Sequence, residues 1–127
     1  MKYTLLAVLL LASTFAYAGP RTGHHGDFVV VCHKPKFMQE TPTANSEVNK
    51  FQNFNFWTSE NTDADTLKVW VNNQLVDVKK DRKGSGNYHI IGKLPEPIRE
   101  GKAWVKVTSE SHDGCNDLKA WNVYIKN

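Results

Sequence analysis

The residues of this sequence that could do chemistry are a scattered set of histidines and aspartates and two cysteines. Imidazole nitrogens and carboxylates suit copper or zinc. The side chains considered for such a site are His24, His25, His33 and His112, with Asp113 and Asp117 beside them. Aspartate oxygens also suit calcium, for which the set is Asp63, Asp65 and Asp113. Neither set has the spacing of a known metal motif. The alternative for both sets is that these side chains are simply solvated or packed and bind no metal.

The first 18 residues have the pattern of a secretory signal peptide. Lys2 precedes an apolar run from Leu5 to Ala12, and Ala16-Tyr17-Ala18 is an A-x-A cleavage pattern. We predict a signal peptide over 1–18, a flexible leader over 19–27 and a protein that is periplasmic or secreted. The apolar run is too short to span a bilayer and no second long one follows, so no membrane span is expected.

The two cysteines, Cys32 and Cys115, lie after this signal. An even cysteine count in an exported protein predicts a disulfide, and only one pairing exists. A reactive or metal-bound thiol pair is the alternative. An oxidised Cys32 could not serve as a thiolate nucleophile.

The composition describes one globular domain rather than a multidomain enzyme. The chain has 127 residues, of which 40% are hydrophobic and 11% aromatic, enough for one core. A net charge of +3 is too small to indicate a nucleic-acid partner. The sequence has no nucleophile elbow, zinc-protease helix, phosphate loop or dinucleotide fingerprint. We therefore expect no enzyme, and no cofactor other than the copper, zinc or calcium considered above.

The elements that must position these residues are strands. Apolar and polar residues alternate with a period of two, which predicts an all-β domain of about seven strands. The predicted strands are 27–33, 48–57, 66–72, 74–79, 87–93, 102–109 and 118–126. Turn residues separate them, including Asn72-Asn73, Gly84-Ser85-Gly86 and Asp113-Gly114. Such spacing is typical of a two-sheet antiparallel sandwich.

Four segments carry a resemblance to a known family. They are PKFMQETPTANSEV, FNFWTSENTDADTLKVWVNNQLV, NYHIIGKLPEPIREGKAWVKVTSESHDGC and WNVYI. Together they resemble the bacterial immunoglobulin-like and fibronectin-type-III-like domains of surface and periplasmic proteins, over residues 28–127. Asn73 stands where that family usually has a turn glycine. The resemblance implies an immunoglobulin-like sandwich and no particular activity.

The topology implied by the resemblance brings the candidate residues together in two places. The start of the first strand would lie beside the loops between strands two and three and between strands six and seven, which places Cys32 next to Cys115. The same end would gather His33, His112, Asp113 and Asp117. Strands three, six and seven would be neighbours in one sheet. Their alternation puts Leu67, Val69 and Val71 inside, and the matching outward residues are Trp70, Trp104 and Tyr124, fringed by Lys68, Lys106 and Lys126.

An outward aromatic patch of this kind favours a binding role. Contiguous apolar surface on a soluble protein often marks a partner site, here for a protein or a polysaccharide outside the cytoplasm. Cross-strand stabilisation of the sheet by the same rings is the alternative. We predict a non-catalytic binding module that uses Trp70, Trp104, Tyr124, Lys68 and Lys106. Two other functions stay open: a periplasmic metal-binding protein using the loop-end histidines, and an inhibitor or accessory subunit of an exported enzyme.

Overall fold

The computed structural model describes residues 31–126, and in that range the chain forms strands and turns. This range contains no helix of the length and apolarity needed to cross a membrane. Its strands are β1 (Phe37–Thr41), β2 (Glu47–Val48), β3 (Phe51–Thr58), β4 (Thr62–Val71), β5 (Gln74–Val76), β6 (Val78–Arg82), β7 (Tyr88–Ile98), β8 (Lys102–Ser111) and β9 (Asn116–Ile125). The predicted signal peptide, the leader and the domain start at residue 28 lie outside the described residues.

The strands form two sheets around one core. One sheet has four strands in the order β1-β3-β7-β6, and the other has five in the order β2-β9-β8-β4-β5. Strands β2 and β9 run parallel, and the other neighbouring pairs are antiparallel. The predicted all-β two-sheet sandwich is confirmed, as is the prediction that the third, sixth and seventh strands, here β4, β8 and β9, are neighbours.

Aromatic side chains from both sheets meet in the core. Phe56 of β3 packs edge-on against Phe37 of β1 and against Trp121 of β9, with ring centroids 6.5 and 5.8 Å apart. Among residues 31–126, fourteen hydrophobic residues are buried in this core: Phe37, Phe51, Phe54, Phe56, Leu67, Val69, Val71, Ile90, Leu94, Ala103, Val105, Val107, Trp121 and Val123. At the side of the sandwich, the Lys119 ammonium lies 3.2 Å from the Glu40 carboxylate and links β9 to β1.

At two places the residue types explain the backbone geometry: the Asn72-Asn73 turn and Gly92. Asn72 and Asn73 both have positive φ, 48° and 66°, between the paired residues Val71 and Gln74. Two such residues are what a type I′ hairpin turn requires, and asparagine tolerates this conformation. Gly92 of β7 lies opposite Phe54, whose ring occupies the space that a Cβ atom would need. Glycine there allows the ring to lie against the strand.

The first predicted strand differs from the structure. Within 27–33, the described residues 31–33 form no strand, and the first strand of the described range begins at Phe37. The main-chain groups of His33 bond to loop side chains instead of to a neighbouring strand: its N–H donates to Asp113 and its carbonyl accepts from Asn61. Pro35, which has no N–H to donate, follows two residues later.

The number of strands also differs, for a topological reason. The predicted strand 74–79 is divided at Asp77, where the chain leaves the five-stranded sheet after β5 and enters the four-stranded sheet with β6. The start of the predicted strand 48–57 is likewise separate, because Val48 belongs to β2. Nine strands in the described range replace the seven predicted.

Candidate functional site

A disulfide joins Cys32 to Cys115, as predicted, across 83 residues of sequence and with the Cα atoms 5.5 Å apart. It connects the segment before β1 to the hairpin between β8 and β9. We call this region the loop end, and it consists of residues 31–36, 59–61 and 111–115. Both cysteines of the chain are used in this bond, so the alternative of a free or metal-bound thiol pair does not apply to this structure.

Asn61 connects the three segments of the loop end. Its side-chain Nδ2 donates to the carbonyls of His33 and Lys34, at 3.1 and 3.4 Å. Its own main-chain carbonyl accepts from the N–H of His112 at 2.9 Å. Asn61 therefore contacts the main chain of both histidines in the described part of the loop end. No sequence pattern pointed to Asn61, because its role depends on three loops that are distant along the chain.

His33 and Asp113 form a close pair at the surface. The His33 main-chain N–H donates to Asp113 Oδ2 at 2.9 Å, and His33 Nδ1 lies 3.5 Å from the same oxygen. The Ser111 hydroxyl donates to the other carboxylate oxygen. These donors, the Ser111 hydroxyl first and the His33 N–H second, lower the pKa of Asp113 from 3.8 to about 2. The His33 side chain is 79% exposed, so an anionic carboxylate and an accessible imidazole lie side by side.

The other predicted ligands lie apart from this pair or outside the described range. His112 is exposed in the same hairpin, whereas the Asp117 carboxylate accepts from the Leu118 N–H on β9. His24 and His25 lie outside the described residues. Within residues 31–126, no three His, Cys, Asp or Glu side chains are grouped so that they could hold a metal ion. The described residues therefore bring His33 and Asp113 together but not the whole predicted set.

The aspartates considered for calcium are also not grouped. Asp63 and Asp65 lie near the start of β4, where Asp63 Oδ1 accepts from the Asp65 N–H at 3.1 Å. This is a local side-chain-to-backbone turn, of the kind that aspartate commonly makes. Asp113 lies in the β8–β9 hairpin with its carboxylate bonded to Ser111 and His33.

The outward face of the five-stranded sheet has the alternation that the sequence predicted. Val69 of β4 and Val105 and Val107 of β8 are fully buried. Between them, Trp70 of β4 lies directly opposite Lys106 of β8. The outward residues along the sheet are Glu47, Lys68, Trp70, Leu75, Lys102, Trp104, Lys106, Thr108, Glu110, Asn116, Leu118, Ala120, Asn122 and Tyr124, and we call this surface the outer face.

Lys106 lies between the two tryptophans of the outer face. Its ammonium nitrogen is 4.5 Å from the ring centroid of Trp70 and 5.7 Å from that of Trp104. Both distances are within the range of cation–π attraction. Tyr124 lies further along, opposite Lys102, and Lys126 is paired with Glu47 at 3.6 Å. The predicted aromatic patch is therefore one surface, with the two tryptophans joined through Lys106 and Tyr124 at its margin.

Two exposed leucines on this face were missed by the sequence analysis. Leu75 lies directly opposite Trp70 in the β4–β5 hairpin and is 64% exposed. Leu118 lies opposite Thr108 and is 53% exposed. The register of the Asn72-Asn73 hairpin is the signal that could have placed Leu75 beside Trp70.

The architecture is that of an immunoglobulin-like β-sandwich, in agreement with the resemblance drawn from the sequence. Among solved structures, the chain is similar to CopC from Methylosinus trichosporium OB3b, with a TM-score of 0.57 and 14% identity over 72% of this chain and 93% of that one. It is also similar to PcoC, a methionine-rich copper resistance protein from Escherichia coli, with a TM-score of 0.56 and 18% identity over 74% of this chain and 100% of that one. No family model matches the chain, and no curated protein matches it. At these identities the likeness shows the fold.

Proposed function

We propose that this chain is an exported, non-catalytic copper-binding protein that holds Cu(II) at the loop end. The observation that carries the proposal is the His33–Asp113 pair, an exposed imidazole beside an ionised carboxylate. The likeness in fold to a copper resistance protein supports copper as the metal. The metal-binding alternative thus replaces the outer face as the leading functional hypothesis.

The donor set favours Cu(II) over Cu(I). Thioether and thiolate ligands select Cu(I), whereas imidazole and carboxylate suit Cu(II) and zinc. The chain has two methionines, Met1 and Met38, and its two cysteines are bonded to each other. A methionine-rich site is therefore not available to this sequence. Copper also binds such nitrogen and oxygen ligands more tightly than zinc does.

We propose that His24 and His25, which precede Cys32 in the sequence, supply the further ligands beside His33 and His112. His25 precedes Cys32 by seven residues, and an extended chain covers about 3.3–3.6 Å per residue, so this segment can reach up to about 25 Å. The disulfide fixes residue 32 at the loop end. His24 and His25 are therefore the candidates that the sequence offers for the remaining ligands.

Export and the lack of catalysis fit the same proposal. The predicted signal peptide and the Cys32–Cys115 disulfide both indicate an oxidising compartment, such as the periplasm. A site of accessible imidazoles and a carboxylate at the end of a rigid sandwich can bind and release an ion without any reaction on a substrate.

Isothermal titration calorimetry, in which Cu(II) is added to the mature protein, tests this function. We expect one Cu(II) per chain, with affinity lowered about tenfold or more by His33→Ala and by the double change His24→Ala/His25→Ala. His89→Gln is the matched control. His89 lies on β7 of the four-stranded sheet, where its ring stacks on Trp57 with centroids 4.5 Å apart. Equal losses in the control and the loop-end variants would contradict the proposal, as would the absence of stoichiometric binding.

A further inference from the structure

We propose that the outer face of the five-stranded sheet is a docking surface for an acidic segment of a partner protein. This surface adjoins the loop end at Lys34, which lines one cavity together with Lys68 and Leu118, but docking there does not require copper binding. Three features carry it: the exposed apolar side chains, the unpaired lysines, and the position of Lys106 between two tryptophans.

The apolar side chains of the outer face are large and exposed. Leu75 and Leu118 are more than half exposed, and Tyr124 is 42% exposed. Leu75 lies opposite Trp70, so an aliphatic and an aromatic side chain are adjacent in one row. Exposed apolar groups of this kind lose contact with water when a partner covers them, which favours association.

The charges of the outer face favour a partner of negative charge. Lys68, Lys102 and Lys106 make no ion pair within the range that the structure describes, although Glu110 lines one cavity with Lys68. Lys126, by contrast, is already neutralised by Glu47. An ammonium covered by a partner without a counter-ion loses its hydration at a high cost in free energy. A partner that covers the three unpaired lysines therefore has to bring carboxylates to them, and complementary charge also speeds encounter.

The same contacts favour a polypeptide over a glycan. The ammonium of Lys106 lies over the ring of Trp70, 4.5 Å from its centroid, on the ring surface where a sugar would stack. Leu75 and Leu118 offer aliphatic contacts rather than flat planes. A protein segment can make both kinds of contact at once. Its acidic side chains pair with the lysines, and its apolar side chains pack on the leucines and tryptophans.

The test measures binding of a labelled random copolymer of glutamate and tyrosine, by fluorescence anisotropy at low salt. Lys68→Gln/Lys102→Gln removes two charges from the outer face. Lys79→Gln/Lys93→Gln is the matched control, because both lysines lie exposed on the other sheet. We expect binding to weaken about tenfold in the first variant and less than about twofold in the control.

A second pair of variants tests the apolar part of the surface. Trp70→Ala should weaken binding of the copolymer, whereas Trp57→Ala, on the other sheet, should leave it unchanged; circular dichroism confirms that each variant is folded. Equal losses in face and control variants would overturn the proposal, as would no binding of the copolymer. If alginate bound more tightly than the copolymer, and its binding depended on Trp70, the partner would be an anionic glycan and the proposal of a protein partner would be overturned.

Discussion

The main-chain N–H of His33 donates to the carboxylate of Asp113 at 2.9 Å, across 80 residues of sequence. The contact lies beside the Cys32–Cys115 bond and joins the segment before β1 to the β8–β9 hairpin. It ties the geometry of the proposed copper site to the charge of one exposed side chain. The ionisation of Asp113 should therefore be visible in the stability of the protein as well as in metal binding.

Asp113→Asn should lower the melting temperature at neutral pH, and the difference from the wild type should vanish in acid. The pKa of Asp113 is lowered from 3.8 to about 2 in the folded chain. A carboxyl group with a lowered folded pKa contributes stability above its unfolded pKa and loses that contribution as the pH falls through the folded value. Thermal unfolding of both proteins between pH 1.5 and 7 measures this window, which should run from about pH 4 down to about pH 2. A difference in melting temperature that is constant over this range would contradict the assignment.

Removal of the disulfide should destabilise the fold strongly. The bond closes a loop with a sequence separation of 83 residues, for which chain entropy gives an upper value of about 4–5 kcal/mol. We expect Cys32→Ser/Cys115→Ser to lower the urea midpoint. The wild type unfolded in the presence of a thiol reductant should give the same midpoint as the variant. A midpoint equal to that of the oxidised wild type would show that the bond does not constrain the unfolded chain.

Gly92→Ala should destabilise the core by about 1–3 kcal/mol, because the added methyl overlaps the ring of Phe54. Phe54 is buried and stacked on Phe51 with centroids 5.6 Å apart, so its ring has little freedom to move away. Gly84→Ala is the control, since a Cβ atom there meets no other atom within 4 Å. Chemical denaturation of both variants measures the difference in stability, and equal midpoints would contradict the predicted overlap.

The fold and the outer face could be predicted from the sequence where the strands alternate with a period of two. The alternation of Leu67, Val69 and Val71 placed Trp70 on the outer face, because successive side chains of a strand point in opposite directions. The Asn72-Asn73 turn was likewise predicted, since few residues other than glycine accept positive φ. The disulfide followed from an even cysteine count and the expected compartment.

Sequence reasoning failed where structure depends on contacts between distant segments. The change of sheet at Asp77 interrupts a run that reads as one strand, and no local pattern distinguishes the two sheets. The residues around His33 satisfy their main-chain groups through Asn61 and Asp113, which are far away in sequence. For the same reason the histidines could be chosen as ligands by type, but not assembled into a site.

Native mass spectrometry is the sharpest test of copper binding at the loop end, with the exported protein purified without chelators and mixed with one equivalent of Cu(II). We expect a chain cleaved after the signal peptide, lighter by two hydrogens because of the disulfide, and carrying one copper ion. The variant His24→Ala/His25→Ala/His33→Ala/His112→Ala should appear without metal under the same conditions. A metal-free wild type, or a variant that keeps its copper, would contradict the proposal that the loop end binds Cu(II).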